Sequence, residues 1–294
     1  MVMTQSFVDV PEREIRLFVR SREGTDKSKP PLVLLHGWPA SSRGWEPVVD
    51  ALPTDRRVLC PDLRGLGQSE RRGPVDRFAK QELAKDIISL LNVLNVEGFV
   101  VAGQDWGGSA AQEIALMLPQ RTKQLIVMNI NLINNPSGNM RGLKAQMLSP
   151  ENPRWYMAFQ SAPGLAESMI PGSEDQWIRY FFEKGAGPDA VFAEDILASY
   201  IEDYARPDTP RCGASYYRSM MLDAGRWAGL GGTRFTQPSL LLYGDQDPFL
   251  TPEFYTDYQT CFDDVTKVDL PGGHFIQDEK PLEVANAIAQ FLRD

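Results

Sequence analysis

One carboxylate stands where a chain would turn sharply: Asp105, in Gly103-Gln104-Asp105-Trp106-Gly107-Gly108. The apolar run Phe99-Val100-Val101-Ala102 leads into it, and a helix-like stretch follows at Ala110 to Leu118. Glycines two residues before and two after the Asp permit a strained strand-to-helix turn that pushes one side chain out of a sheet. A carboxylate held there suits displacement at a saturated carbon and leaves an ester on the protein, whereas a serine would attack a carbonyl. The turn also sets Asp105 near a helix N-terminus, which favours the ionised form. The plain alternative is an Asp that merely caps the helix. An ester on Asp105 would have to be cleaved, which needs an activated water and a base. The sequence offers 2 histidines, His36 and His274.

The elements that must position these groups can be read from periodicity. Ile15, Leu17 and Val19 alternate with Arg16 and Phe18, as in a strand. Short continuous apolar runs follow at Leu32 to Leu35, Val58 to Cys60, Phe99 to Ala102 and Leu125 to Met128. Helical spacing lies between them, clearest at 79–94, where Leu83, Ile87, Leu90, Leu91 and Leu94 recur. Such alternation predicts a mostly parallel sheet covered on both faces. It stops near Asn131, and the chain to about Arg234 is rich in aromatic residues and Met, with helical patches at Trp177 to Lys184 and Val191 to Tyr204. Strand patterns resume at Leu240 to Tyr243 and Thr266 to Leu270, before a last helix over Leu282 to Leu292. The expected architecture is α/β, with a helical insertion over the C-terminal edge of the sheet, where ligands of open α/β sheets bind.

The motif around Asp105 resembles the nucleophile turn of the epoxide hydrolases and haloalkane dehalogenases, families of the α/β-hydrolase superfamily. His36-Gly37-Trp38-Pro39 resembles their oxyanion loop, and Pro61-Asp62-Leu63-Arg64-Gly65-Leu66-Gly67-Gln68-Ser69 the turn that follows it. The resemblance spans essentially the whole chain. It implies an α/β-hydrolase core at 1–133 and 234–294, with a helical cap at 134–233. It gives His36 a structural role and makes the Trp38-Pro39 bond cis. It makes His274, in Pro271-Gly272-Gly273-His274-Phe275, the hydrolytic base, since the triad of this fold runs nucleophile, acid, histidine. The acid then falls in Gly244-Asp245-Gln246-Asp247-Pro248, where the family pattern matches Asp247 and leaves Asp245 as a local turn cap. The backbone N–H groups of Trp38 and Trp106 are the expected oxyanion hole.

The leaving group separates the two families. A halide asks for N–H donors, usually indoles, whereas an opening epoxide must receive a proton, which a phenol can give. Gly213-Ala214-Ser215-Tyr216-Tyr217-Arg218-Ser219-Met220 resembles the epoxide-hydrolase cap segment in which a Tyr before Arg is a ring-opening acid, and so assigns Tyr217. Trp155-Tyr156-Met157-Ala158-Phe159-Gln160 resembles the segment with the second acid. Counting back from Phe159 points to Trp155 and from Pro163 to Tyr156; the phenol is taken because it can donate a proton. Core packing between cap helices is the alternative for both tyrosines. Trp38, Trp106 and Trp155 are the expected pocket wall.

The leading expectation is therefore hydrolysis of a small apolar or amphipathic epoxide to a diol, without metal or organic cofactor. A haloalkane dehalogenase, with Trp106 and Trp38 or Trp155 on the halide, is the rival. A haloacetate dehalogenase would want an Arg soon after the nucleophile and a His-Trp pair in the cap, where this chain has Ser109 and Tyr156-Met157. A binding protein on the same scaffold would have no need of an intact nucleophile, acid and base. The net charge of -9 over 294 residues speaks against a nucleic-acid partner. No stretch approaches the roughly 20 apolar residues of a membrane span, and Met1 to Ser6 shows no signal-peptide pattern. Cys60, Cys212 and Cys261 are far apart without metal-ligand spacing, which suits reduced thiols in a cytoplasm.

Overall fold

The computed structural model describes residues 3–149 and 154–293. The apolar runs become strands because each is buried on both faces. The strands are β1 (Thr4–Val10), β2 (Ile15–Arg22), β3 (Leu32–Leu35), β4 (Val58–Pro61), β5 (Phe99–Gln104), β6 (Thr122–Met128), β7 (Ser239–Gly244) and β8 (Val265–Leu270). They form one sheet in the order β1-β2-β4-β3-β5-β6-β7-β8. The β1-β2 and β2-β4 pairs are antiparallel; every later pair is parallel. Every residue of β3, β4, β5 and β7 is buried, as parallel strands covered by helices require.

Helices α1 (Glu46–Ala51), α2 (Lys80–Val93) and α3 (Trp106–Met117) follow β3, β4 and β5. Between β6 and β7 the chain leaves the sheet for α4 (Pro136–Met147), α5 (Trp155–Ser161), α6 (Leu165–Met169), α7 (Glu174–Gly185), α8 (Glu194–Tyr204), α9 (Thr209–Arg218) and α10 (Met220–Trp227). Helices α11 (Ile276–Glu279) and α12 (Pro281–Phe291) close the fold. Successive strand residues point to opposite faces, so two cores arise. Val33, Val101 and Val127 meet Leu83, Ile87 and Ile114 on one side. Leu34, Val100 and Ile126 meet Val48, Val284 and Ile288 on the other.

The insertion is tied to the sheet domain through buried polar contacts. Trp227 Nε1 and Arg226 Nε each donate at 2.8 Å to the fully buried Glu113 of α3. The Lys80 ammonium pairs with Asp223 at 2.8 Å, and the Tyr200 hydroxyl donates to Asp278 at 2.8 Å. Burying one of these charges alone would be costly, so each pair ties α8 or α10 to one seat.

Among the described residues no helix is long and apolar enough to cross a membrane. Cys60, Cys212 and Cys261 are free and buried.

Candidate active site

Asp105 sits between the end of β5 and the start of α3 with φ 50°, a left-handed conformation unusual for a residue with a Cβ. The turn closes only because its flanks lack side chains. A Cβ on Gly103 would lie 2.2 Å from the Gly107 carbonyl oxygen, and one on Gly107 would lie 2.4 Å from that of His36. The carboxylate makes no capping bond to α3. Instead Oδ1 accepts the Trp38 backbone N–H at 2.9 Å, and Oδ2 lies 3.5 Å from His274 Nε2. The Trp38-Pro39 bond is cis. Trp106 opens α3, at the end where N–H groups have no partner inside the helix, so its N–H is available beside the same carboxylate.

His274 lies between β8 and α11 and is 4% exposed. Its Nδ1 meets Asp247 Oδ2 at 2.8 Å. Asp247 follows β7; its Oδ1 accepts the backbone N–H groups of Phe249 and Leu250 at 2.7 and 3.0 Å. Of the two competing carboxylates Asp247 reaches the imidazole, while Asp245 is exposed. Burial by itself would lower the His274 imidazole, but the charges and hydrogen bonds of Asp247 and Asp105 override it and raise it to about 10. With Asp105 ionised, His274 is an imidazolium held between two carboxylates.

His36 takes no part. Its Nε2 accepts the Leu63 backbone N–H at 2.9 Å and its Nδ1 donates to the Gly37 carbonyl at 2.9 Å, which fixes a neutral ring under the oxyanion loop. Burial lowers its pKa accordingly, against the pull of Asp62.

A cavity of about 350 Å³ opens over Asp105 and His274 and is lined by Trp106, Tyr156, Met157, Phe249 and Arg154, with Ile133, Leu143 and Trp227 further out. Tyr156, on α5, stacks on Trp38 with ring centroids 5.7 Å apart and meets Tyr217 edge to face at 5.6 Å. Tyr217, on α9, is 4% exposed and packs against Trp38 and Trp106. Burial raises the Tyr156 phenol, the Arg154 guanidinium opposes, and Asp105 adds to the rise. Burial raises Tyr217 too, and Tyr156 and Asp105 push it further. Both phenols thus stay protonated at neutral pH, within the field of the Asp105 carboxylate.

Two expected wall residues lie elsewhere. Trp155 is 39% exposed and its indole donates to the Tyr180 hydroxyl at 2.9 Å. One helical position is about 100° of rotation, so Tyr156 faces the cavity and Trp155 turns away. The Trp38 indole lies behind Tyr156 and donates to the Tyr204 hydroxyl at 3.1 Å; its backbone N–H, not its ring, meets Asp105.

Sequence reasoning missed two polar residues beneath the triad. Asn129, at the end of β6 with φ 42°, donates to Asp247 Oδ2 at 2.8 Å and accepts the Gly244 N–H at 3.1 Å. Its one sequence signal is a polar residue directly after a buried parallel strand, where site residues of such sheets collect. Gln104 donates to the His274 carbonyl at 2.9 Å and so ties the nucleophile turn to the base loop.

The sheet order, the strained turn and the Asp-His-Asp geometry agree with sequence comparison. The family described as alpha/beta hydrolase fold matches residues 30–281, and the chain belongs to it. With that membership it is a hydrolase. It is similar to a soluble epoxide hydrolase of a Corynebacterium species, 27% identical over 271 residues that cover 89% of this chain and 90% of the relative. An epoxide hydrolase of Caballeronia sordidicola is 27% identical over 302 residues, covering 92% and 89%. Among solved structures, a putative alpha/beta hydrolase from a Nostoc species superposes with a TM-score of 0.85 at 26% identity, over 99% of this chain and 98% of that one.

Proposed function

We propose that the protein hydrolyses epoxides to vicinal diols through an ester on Asp105, with the helical insertion as the cap over the site. The observation that carries this reading is a carboxylate at a strained strand-to-helix turn that shares one cavity with the Tyr156 phenol, against whose ring the buried Tyr217 packs. Asp105 Oδ2 attacks an oxirane carbon, the C–O bond breaks, and Tyr156 or Tyr217 gives its proton to the leaving oxygen. Oδ1 becomes the ester carbonyl oxygen. His274 then takes a proton from water as the water attacks the ester carbon, and the charge that develops on Oδ1 meets the Trp38 and Trp106 N–H groups. Asp247 holds the imidazole tautomer and steadies the imidazolium. Collapse releases the diol, and the phenolate regains its proton.

The raised pKa of His274 fits this order of events. Alkylation removes the charge of Asp105, one of the two carboxylates that hold the imidazolium, and so brings the ring toward the neutral base the second step needs.

The dehalogenase reading is weaker because two of the three indoles it would use are engaged, Trp38 with Tyr204 and Trp155 with Tyr180. Trp106 Nε1 is buried without a hydrogen bond among the described residues and is the one of these three indoles left free on the cavity wall. A turnover panel of styrene oxide, an aliphatic epoxide and 1-bromobutane decides. Diol from the epoxides with little bromide is expected; bromide release without diol would reverse the assignment. We also place the enzyme in a reducing cytoplasm, a reading that the three free, buried cysteines support.

A further inference from the structure

Arg154 stands at the cavity wall just before α5, two residues from Tyr156. Its guanidinium lies over the Phe254 ring at 4.9 Å, one NH group donates to the Phe249 carbonyl at 3.2 Å, and another touches Met157 Sδ at 3.8 Å. Its Nε is buried and makes no hydrogen bond. Among the described residues no carboxylate comes within ion-pair distance of it. An arginine has five N–H donors, and here one meets a carbonyl and one a weakly accepting sulfur. Burial lowers its pKa, against the pull of the titratable groups of the site itself, Tyr156, Asp247, Tyr217 and Asp105.

A cation taken out of water without a counter-ion costs stability unless something pairs with it. The buried polar links described above between the insertion and the core answer that demand with carboxylates: Glu113 for Arg226, Asp223 for Lys80. Arg154 is answered by one carbonyl, one sulfur and the cavity. The same cavity holds Asp105 and lies in a chain of net charge -9, a poor place for an anion to enter without a dedicated cation.

We infer that the substrate is an epoxide carrying a carboxylate, with the carboxylate held by Arg154 and the oxirane turned to Asp105. This rests on the epoxide reading above and names its substrate class. A guanidinium fork matches a carboxylate's two oxygens, and the apolar wall of Ile133, Leu143 and Trp227 suits a hydrocarbon group carried on the oxirane. Pairing would also place the anion beside Tyr156 and fix which oxirane carbon meets Asp105.

The test compares 3-phenylglycidate with its primary amide, the same epoxide without the charge. The wild type should favour the carboxylate in kcat/KM by about 10–100-fold, the worth of a charge-assisted hydrogen-bonded pair, mostly through KM. In Arg154→Met that ratio should fall to within about threefold of one whatever the absolute rates, and Arg154→Lys should restore part of it. A guanidinium that only braces α5 against Phe249 would lower both substrates together and leave the ratio standing, which overturns the inference. The wild type also gives a test that needs no variant: calorimetry should find 3-phenylpropanoate bound at least about tenfold more tightly than 3-phenylpropanamide, and equal affinities would again overturn it. Turnover of the amide and of styrene oxide with no preference for the carboxylate sinks this inference alone. Failure of every epoxide to give diol sinks the epoxide reading, and this inference with it.

Discussion

The two halves of the site are held by different means. Asp105, Asp247 and His274 project from turns that follow parallel strands, and backbone donors or polar side chains such as Asn129 and Gln104 fix them. Tyr156 and Tyr217 come from helices of the insertion, whose place over the sheet depends on a few buried pairs. In the proposed mechanism the sheet therefore preorganises the nucleophile and the ester-cleaving groups, while the group that protonates the leaving oxygen is set by docking. One chemical step can then be damaged without the other. The widest separation should come from His274→Gln. Alkylation should persist while ester hydrolysis falls by about 10²–10⁴-fold or more, and intact-protein mass spectrometry should show one added substrate mass on the peptide carrying Asp105. An unmodified Asp105, under conditions where the wild type turns over, would contradict the ester.

The opposite cut removes the phenols. Tyr156→Phe or Tyr217→Phe alone should slow the alkylation burst moderately, because two donors near one oxygen are partly redundant. Together they should remove about 10²–10⁴-fold, with ester hydrolysis on Asp105 left close to wild type. Full epoxide turnover by the double variant would refute the assignment of the acids.

The same division decides what could be read from the sequence. Asp105 was legible because glycine spacing and a flanking strand leave little choice of backbone. Asp247 and His274 were legible through the family resemblance, whose chain order of nucleophile, acid and histidine could be laid on the turns after the last two strands. Asn129 was not, since a lone Asn after a strand says nothing of the carboxylate it meets through space. The insertion was harder. Helix α4 leaves Met147 85% exposed and sets Met140 and Leu143 on the cavity wall, while Gly138, Gly142 and Gln146 are the residues it buries, so its apolar positions trace no buried face. Strand β1 was missed because six of its seven residues are not buried. Trp155 and Tyr156 differ by one position, and only the docked helix says which faces the cavity.

A smaller effect should follow from loosening a link between the halves. Glu113 is fully buried and accepts from both Arg226 and Trp227 of α10. Glu113→Gln keeps the shape and one acceptor but leaves the partly exposed Arg226 without its counter-charge. The expected loss is about 1–3 kcal/mol of stability, read from denaturant midpoints. The alkylation burst should slow by a few-fold while hydrolysis of a preformed ester stays near wild type. Equal slowing of both steps would mean that the insertion also governs the sheet half.

The mildest prediction concerns pH. Tyr200, fully buried on α8, donates to Asp278 of α11. Burial pushes the Asp278 carboxyl up to about 7, against the Tyr200 bond that favours its charged form. An unfolded Asp loses its proton near pH 4. Between about pH 4 and 7 the folded protein thus holds a proton that the unfolded chain has released, and stability must fall as pH rises through that window. His274 acts with the same sign in a higher window: its folded pKa of about 10 lies above the unfolded value near 6.5, so its contribution is whole below pH 6.5 and is lost as pH rises through 10. The two windows can be separated by substitution. Asp278→Asn should flatten the stability profile between pH 4 and 7 by on the order of 1–2 kcal/mol relative to wild type, leaving the decline above pH 7 in place. His274→Gln should do the reverse. If Asp278→Asn keeps the full wild-type slope below pH 7, the Asp278 carboxyl does not titrate there. The contact between α8 and α11 would then be no weaker at high pH than at low.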